Sequence, residues 1–280
     1  MYTQFRSPQP GTPVTVPRLA EMKAKGEKIV ALTSYDASFA AQCDAAGIDL
    51  VLVGDSLGMV VQGRTSTLPV TLDEMVYHTA AVARGLATAL LAADLPFMTY
   101  RNADVALASS ARLIAEGGAA MVKLEGAGHV LDAIEALDRH DIPVCAHLGL
   151  TPQSVHKFGG YRVQGKSKSA AERLLADAHA VEDAGADLLV LECVPAELAR
   201  QITSELKIPT IGIGAGADCD GQILVIYDML GITPGKRPRF SKDFLAGHDS
   251  IVAAIKAYAR AVRHGEFPAA EHSFSALTHK

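Results

Sequence analysis

The sequence is poor in several features that mark particular classes of protein. Its four cysteines are far apart and form no CxxC pair, so we predict reduced, mostly buried thiols in a cytosolic protein. No apolar run is long enough to cross a bilayer, and the first residues hold no apolar signal core. Basic residues are scattered and are not interleaved with aromatics. We therefore expect a cytoplasmic protein with no membrane or nucleic-acid partner.

The length and the apolar content are suited to one large core. The chain has 280 residues, of which 49% are hydrophobic and 20% charged, with a formal net charge of −5. Such values are typical of a single α/β domain. No shift in composition marks a linker, so we predict one domain over residues 1–280. A flexible lead-in is expected over about 1–16, and a short tail is expected after Phe274.

Short apolar runs alternate with amphipathic segments along the chain. The runs are apolar throughout, which is typical of parallel strands covered on both faces. Seven such β–α alternations and a weaker eighth predict a closed (β/α)8 barrel, or TIM barrel. The alternative is an open doubly wound sheet, which usually stops at five or six strands. The predicted strands are residues 28–35, 49–55, 87–96, 119–126, 142–150, 186–194, 208–216 and 236–240.

Several helix ends have recognisable sequence signals. Thr71 and Glu74 have the spacing of a capping box, and Ser169 is predicted to open the helix that follows it. The last helix is expected from about Asp243 to Arg263. Residues 17–26 predict an extra helix at the bottom of the barrel.

Polar residues stand where the predicted strands end. In a parallel barrel these ends converge on one mouth, so side chains far apart in sequence meet there. Carboxylates brought so close repel one another at low dielectric and require a cation, shared protons or both. Without histidine or cysteine partners at zinc spacing, they favour a hard ion, with Mg²⁺ the first choice. The residues are Tyr35, Asp36, Asp55, Ser56, Asp94, Lys123, Glu125, His147 and Glu192.

Each of these residues alone also has a purely structural interpretation. Asp55 or Asp94 could cap a turn, and Lys123 could form a structural ion pair with Glu125. His147 could be a satisfied core histidine. The repetition of polar residues at strand after strand favours an active site instead.

Two loops at the predicted mouth are candidates for a functional role. IGIGAGA, residues 211–217, contains G-x-G-x-x-A after a strand, but no helix follows directly, so a simple glycine turn is favoured. Residues 149–168 form the longest loop and contain Lys157, Arg162, Lys166 and Lys168. This loop is either a lid over the mouth or a solvated surface excursion.

Several long, ordered motifs follow one another along the chain. They are ALTSYDASFA, LVGDSLGMVVQGRTSTLPVTLDEMVYHT, AADLPFMTY, VKLEG, HLGLTPQS, FGGYRVQG, LLVLECVP, IGIGAG and DGQILV. Together they resemble the motifs of the ketopantoate hydroxymethyltransferase family, from about Ala20 to Ser273. The resemblance implies a (β/α)8 barrel of the phosphoenolpyruvate/pyruvate type. It also implies Mg²⁺, 5,10-methylenetetrahydrofolate as one-carbon donor, and a homo-oligomer, typically a decamer of two five-membered rings.

The resemblance also implies roles for individual residues. Glu192 of LECV matches the proton acceptor of the family. The implied metal-site residues are Asp55, Asp94 and Glu125, the last acting through water. The residues that match positions in contact with the 2-oxo acid substrate are Asp55, Ser56, Asp94 and Lys123.

The implied reaction is hydroxymethyl transfer to 3-methyl-2-oxobutanoate, which gives 2-dehydropantoate for pantothenate biosynthesis. The oxo acid would chelate the metal, which would stabilise the enolate formed as C3 loses its proton. Apolar neighbours are expected to raise the pKa of Glu192 toward working pH, as a general base requires. His147 is a candidate hydrogen-bonding partner, and loop 149–168 is a candidate site for the glutamate tail of the folate. A metal-dependent lyase or mutase and a non-catalytic scaffold are the alternatives.

Overall fold

Eight parallel strands close into a barrel in this computed structural model, which describes residues 11–275. Each strand pairs with the next, and the eighth pairs with the first. The predicted (β/α)8 barrel is therefore confirmed. The strands are β1 Ile29–Thr33, β2 Leu50–Val53, β3 Leu90–Asp94, β4 Met121–Glu125, β5 Val144–Gly149, β6 Leu188–Glu192, β7 Thr210–Ile213 and β8 Gly221–Leu224.

Helices surround the strands and bury them from outside. Nearly every strand residue is buried, so polar side chains at the strand ends contact solvent or a ligand at the mouth of the barrel. Among the described residues, no helix has the length and apolar character to span a membrane. The helices are α1 Val16–Ala24, α2 Ala37–Ala45, α3 Leu57–Val60, α4 Leu72–Ala83, α5 Ala103–Ala115, α6 Leu131–Asp138, α7 Val155–Phe158, α8 Lys168–Asp183, α9 Ala196–Glu205, α10 Ile226–Met229 and α11 Ile251–Arg263.

The predicted eighth strand was wrong in its position. Residues 236–240 have no strand structure, and Pro238 among them has no N–H to donate to a ladder. The barrel closes instead through Gly221–Leu224, between β7 and β1. A Cβ on Gly221 would stand 2.4 Å from the Ile29 carbonyl oxygen, so only a glycine fits where this strand enters the seam.

Helix α1 lies at the amino-terminal end of the strands, as predicted for residues 17–26. The ammonium group of Lys23 donates to Asp220 Oδ2 at 2.8 Å and to the Thr203 carbonyl at 2.9 Å. Asp220 directly precedes β8, so this ion pair fixes the helix to the bottom of the barrel. Residues 1–10 of the expected lead-in and 276–280 of the expected tail lie outside the described residues.

The capping box of α4 is confirmed. Thr71 Oγ1 accepts from the Glu74 amide at 3.2 Å, and the Glu74 carboxylate accepts from the Thr71 amide at 2.7 Å. The start predicted for α8 was two residues late, because Ser167 and not Ser169 caps it, accepting from the Ala170 amide.

The final helix also begins later than expected. Helix α11 starts at Ile251, where Ser250 accepts from the Ala253 amide. Asp243, the predicted start, instead accepts from the amides of Leu245 and Ala246 and thus caps a turn before the helix.

Candidate active site

The structure brings seven of the nine polar residues predicted at the strand ends together at the carboxyl end of the barrel. They line one cavity of about 690 Å³. Five belong to strands, and the other two follow β2 after Gly54. The strand residues are Asp94 in β3, Lys123 and Glu125 in β4, His147 in β5 and Glu192 in β6, and the other two are Asp55 and Ser56.

Asp94 and Lys123 form the centre of the cavity floor. The register of β3 and β4 places them side by side, and Lys123 Nζ donates to Asp94 Oδ1 at 2.5 Å. Their side chains are each 5% exposed. Burial acts to lower the pKa of Lys123, but the carboxylates of Asp94, Glu125 and Asp55 outweigh it and hold the pKa above its usual value. The lysine is therefore a buried cation at neutral pH.

Asp55 is held by its backbone as well as by its side chain. Its amide donates to Asp94 Oδ2 at 2.9 Å, so the turn after β2 is tied to the end of β3. Burial, reinforced by the charges of Asp94 and Glu125, raises the pKa of Asp55 well above its usual range. Burial likewise raises the pKa of Glu125 to about 7. With every carboxyl ionised, this floor has more negative charge than Lys123 neutralises, so it favours binding a proton or a cation.

Gln153 is a site residue that the sequence interpretation missed. Its Nε2 donates to Asp55 Oδ2 at 2.9 Å and to the Leu95 carbonyl at 3.0 Å, and its backbone amide donates to Glu125 Oε2 at 2.9 Å. The Tyr100 hydroxyl donates to Gln153 Oε1 at 2.5 Å, which fixes the orientation of the amide. One buried glutamine thus positions two carboxylates. The sequence signal that could have identified Gln153 as a site residue was its position in HLGLTPQS, four residues after the end of a strand.

His147 lies between two carboxylates. Its Nδ1 is 3.3 Å from Glu125 Oε1, and its Nε2 is 3.3 Å from Glu192 Oε2, although neither contact has hydrogen-bond geometry. Burial, together with the charge of Lys123, lowers the pKa of His147, so the imidazole is neutral at pH 7. The Glu192 side chain lines the cavity and is 14% exposed, compared with 3% for Glu125.

Tyr35 and Asp36, in the loop after β1, have different functions. The Tyr35 hydroxyl is 2.9 Å from Ser56 Oγ and orients this serine at the cavity wall. Asp36 is not part of the site. Its carboxylate accepts from the amides of Ser38 and Phe39 and caps α2.

The donor chemistry of the floor fits a hard divalent cation. Asp55, Asp94 and Glu125 supply carboxylate oxygens, which Mg²⁺ prefers, and their charge exceeds that of the one buried lysine. Across residues 11–275, no three acidic, imidazole or thiol groups already surround a common point. Some side-chain movement would therefore accompany metal binding.

The outer part of the cavity is built from two long connections. Leu150, Pro152, Tyr161 and Val163 of the loop after β5 form one wall, and residues 234–240 with Phe274 form the other. The loop after β7 continues through 214–220 into β8 without a helix, so IGIGAGA does not have the strand–loop–helix context of a dinucleotide site.

Solved structures with this fold include enzymes that act on small organic acids. The chain is similar to 2,3-dimethylmalate lyase, a PEP mutase/isocitrate lyase superfamily member, with a TM-score of 0.54, 20% identity, and coverage of 75% of this chain and 80% of that chain. It is also similar to phosphonopyruvate hydrolase in complex with oxalate and Mg²⁺, with a TM-score of 0.59, 15% identity and 92% coverage of each chain. At these identities the likeness shows the fold alone, a (β/α)8 barrel.

Sequence relatives are much closer. The chain is 61% identical over 267 residues to the 3-methyl-2-oxobutanoate hydroxymethyltransferase of Alkalilimnicola ehrlichii, covering 95% of this chain and 96% of that protein. It is 58% identical to the enzyme of the same name from Paraburkholderia phymatum, covering 93% of this chain and 96% of that protein. The profile of ketopantoate hydroxymethyltransferases matches residues 13–270. The chain therefore belongs to the ketopantoate hydroxymethyltransferase family.

Proposed function

We propose that this protein transfers a hydroxymethyl group from 5,10-methylenetetrahydrofolate to 3-methyl-2-oxobutanoate, giving 2-dehydropantoate for pantothenate biosynthesis. The observation that carries the proposal is the cavity floor, where a buried lysine and three buried carboxylates lie beside a more exposed glutamate, Glu192. The family membership supports the same reaction in general terms.

The proposed metal is Mg²⁺, held by Asp55 and Asp94 and, through water, by Glu125. When bound, such an ion supplies Lewis-acid stabilisation of the charge that develops on the keto oxygen as C3 loses its proton. The oxalate and Mg²⁺ in the phosphonopyruvate hydrolase structure support this choice, because oxalate has the paired oxygens of a 2-oxo acid.

Two residues of the cavity suit recognition of the oxo acid anion. Lys123 remains protonated in the buried site and would balance the negative charge of the substrate. Ser56 Oγ, held 2.9 Å from the Tyr35 hydroxyl, would hydrogen-bond the carboxylate or keto group. The substrate would thus be bound with its isopropyl end toward the apolar wall of the cavity.

Glu192 is the proposed general base. Its carboxylate would take the C3 proton onto an oxygen atom, and the neutral imidazole of His147, 3.3 Å away, would limit its movement. C3 would then bond to the methylene carbon of the folate as one of the two C–N bonds of that carbon breaks. Water would add its hydroxyl group to the same carbon as the second C–N bond breaks. The two nitrogens would take up the C3 proton and one proton of the water, and tetrahydrofolate would leave as the second product.

The test is exchange of the C3 proton in D₂O, with Mg²⁺ present and the folate omitted. Wild-type protein is expected to exchange this proton, whereas Glu192→Gln is expected to lose at least about 100-fold in rate, the usual contribution of a general base. Glu172→Gln is the matched control, because Glu172 lies on the exposed face of α8. Full exchange by Glu192→Gln would remove Glu192 as the base. Transfer that does not require the folate would contradict the reaction itself.

We further propose that the protein is a cytoplasmic homo-oligomer, a decamer of 29.4 kDa chains, and light scattering tests this assembly. Phe97 and Met98, which follow β3 near the mouth, are exposed apolar side chains that subunit contacts would cover.

A further inference from the structure

The cavity has opposite charge at its floor and at its rim. The floor contains the carboxylates described above. The rim is formed by residues 234–240, in the connection between α10 and α11, and three of its exposed side chains are cationic. A ligand that fills the cavity would therefore meet metal-binding carboxylates at one end and positive charge at the other. The cations are Lys236, Arg237 and Arg239.

These three cations are only weakly engaged within the chain. Lys236 forms no ion pair with any of residues 11–275. Arg237 has a partly exposed contact of 3.4 Å with Asp243, a type of pair that contributes little. Arg239 donates to the Glu271 carbonyl at 2.9 Å, and its guanidinium lies 5.4 Å from the centre of the Phe274 ring. Most of their donors remain open to a bound anion.

Two acidic groups also border the rim. Asp228 accepts from the Thr233 hydroxyl at 2.6 Å, and burial raises the pKa of its carboxyl. The Glu271 carboxylate is highly exposed, with 81% of its side chain accessible, and is therefore well screened. The three cations outnumber these two carboxylates, and a third acidic group, Asp243, is paired with Arg237.

The walls between floor and rim are apolar and partly aromatic. Tyr161 and Val163 face the cavity from one side, and Phe240 and Phe274 face it from the other. Such walls suit the flat ring system of a pterin and an aminobenzoyl group. A second cavity of about 570 Å³ shares Arg237 and Arg239 with the first and is also lined by Glu271 and His272.

We propose that Lys236, Arg237 and Arg239 form a subsite for the glutamate tail of the folate co-substrate, with further γ-linked glutamates extending into the second cavity. This inference rests on the proposed function. It replaces loop 149–168 as the expected site of the tail, because the basic side chains of that loop, Lys157 and Lys166 among them, do not line the cavity.

The experiment compares methylenetetrahydrofolates with one and with five glutamates and the tetrahydropteroate form that has none. For wild-type protein, KM is expected to fall as glutamates are added, and added salt is expected to weaken the dependence. Lys236→Ala and Arg237→Ala are expected to raise KM for the glutamylated forms about threefold each and to leave the form without glutamate unaffected. Lys236→Arg keeps the charge and is expected to restore the wild-type KM.

Lys157→Ala and Lys166→Ala are matched controls, since they remove the same charge from the other basic loop. If these controls lose the dependence on glutamate number while the rim variants keep it, the subsite is wrong. Equal KM values for all three folates with wild-type protein would also overturn it. Proton exchange of the oxo acid without folate is measured on every variant and tests the floor separately. If the wild-type protein exchanges the C3 proton but transfers no hydroxymethyl group from any of the folates, the proposed function itself is contradicted, independently of the results with the rim variants.

Discussion

Gln153 shows how one neutral residue can set the geometry of charged neighbours. Its side-chain amide donates to Asp55 and to the Leu95 carbonyl, its backbone amide donates to Glu125, and the Tyr100 hydroxyl fixes the orientation of the side chain. Partners of this kind orient metal ligands and tune their affinity. The proposed Mg²⁺ site therefore depends on a residue that would not itself touch the ion.

Gln153→Ala is expected to weaken binding of Mg²⁺ or Mn²⁺ about 10- to 100-fold, because Asp55 loses its donor and becomes free to move. Calorimetric titration of the chelator-treated protein measures this without any turnover. Tyr100→Phe is expected to have a smaller effect in the same direction. Gln201→Ala, on the exposed surface of α9, is the control. Unchanged metal affinity in Gln153→Ala would show that the contact is only structural.

At the scale of single residues, the sequence predicted the charged groups of the site but not their neutral partners. Asp55, Asp94 and Glu192 were found because a carboxylate at the end of an apolar strand is unusual. Gln153 lacks that signal, since a glutamine in a loop has many uses. Asp36 shows the opposite error, because a strand-end aspartate can equally cap the next helix.

At the scale of elements, the capping box of α4 allows the contribution of one helix cap to the stability of the protein to be measured. Thr71→Ala removes one half of the capping box, and Glu74 also loses the threonine hydroxyl as a donor. The expected loss is about 1 kcal/mol in the free energy of unfolding, the usual value for such a cap. Chemical denaturation measures it, with Thr71→Ser as a control that keeps the hydroxyl. A loss much below this value would mean that the tertiary contacts of α4 make the cap redundant.

The errors in element boundaries have physical causes. Ser167 and Ser169 both precede the α8 pattern, and only the extended backbone at Ser167 decides which one caps. The eighth strand was missed because Gly221–Leu224 is short and opens with a glycine, which usually weakens a strand. Here the seam requires that glycine, and this requirement appears only when β1 and β7 are in place on either side.

At the scale of the whole molecule, the buried charge couples stability to pH. In the folded, metal-free protein the pKa of Glu125 is raised to about 7 from an ordinary value of 4.5. Between these two pH values the folded state binds a proton on Glu125 that the unfolded state does not bind. Protonation of Glu125 therefore stabilises the folded state at low pH, and this stabilisation is lost as the pH rises to about 7. His147, whose pKa is lowered, acts in the opposite direction.

The expected result is that Mg²⁺ raises the Tm more at pH 8 than at pH 5, because at the higher pH the ion binds ionised carboxylates without displacing a proton. Glu125→Gln isolates the contribution of this carboxyl. In chelator, it is expected to be more stable than wild type at pH 8 and similar at pH 5. Thermal unfolding at both pH values measures this. Equal pH dependence in wild type and variant would show that Glu125 does not hold the proton.

The pairing of β1 with β8 also has a consequence for synthesis. While the chain is still being made on the ribosome, β1 has an unpaired edge until residues 221–224 emerge, since its final neighbour is the last strand translated. Exposed strand edges recruit other chains, so a nascent barrel of this connectivity is vulnerable to aggregation for most of its translation. Truncations that stop before Gly221 are therefore expected to be substrates for chaperones and not stable fragments.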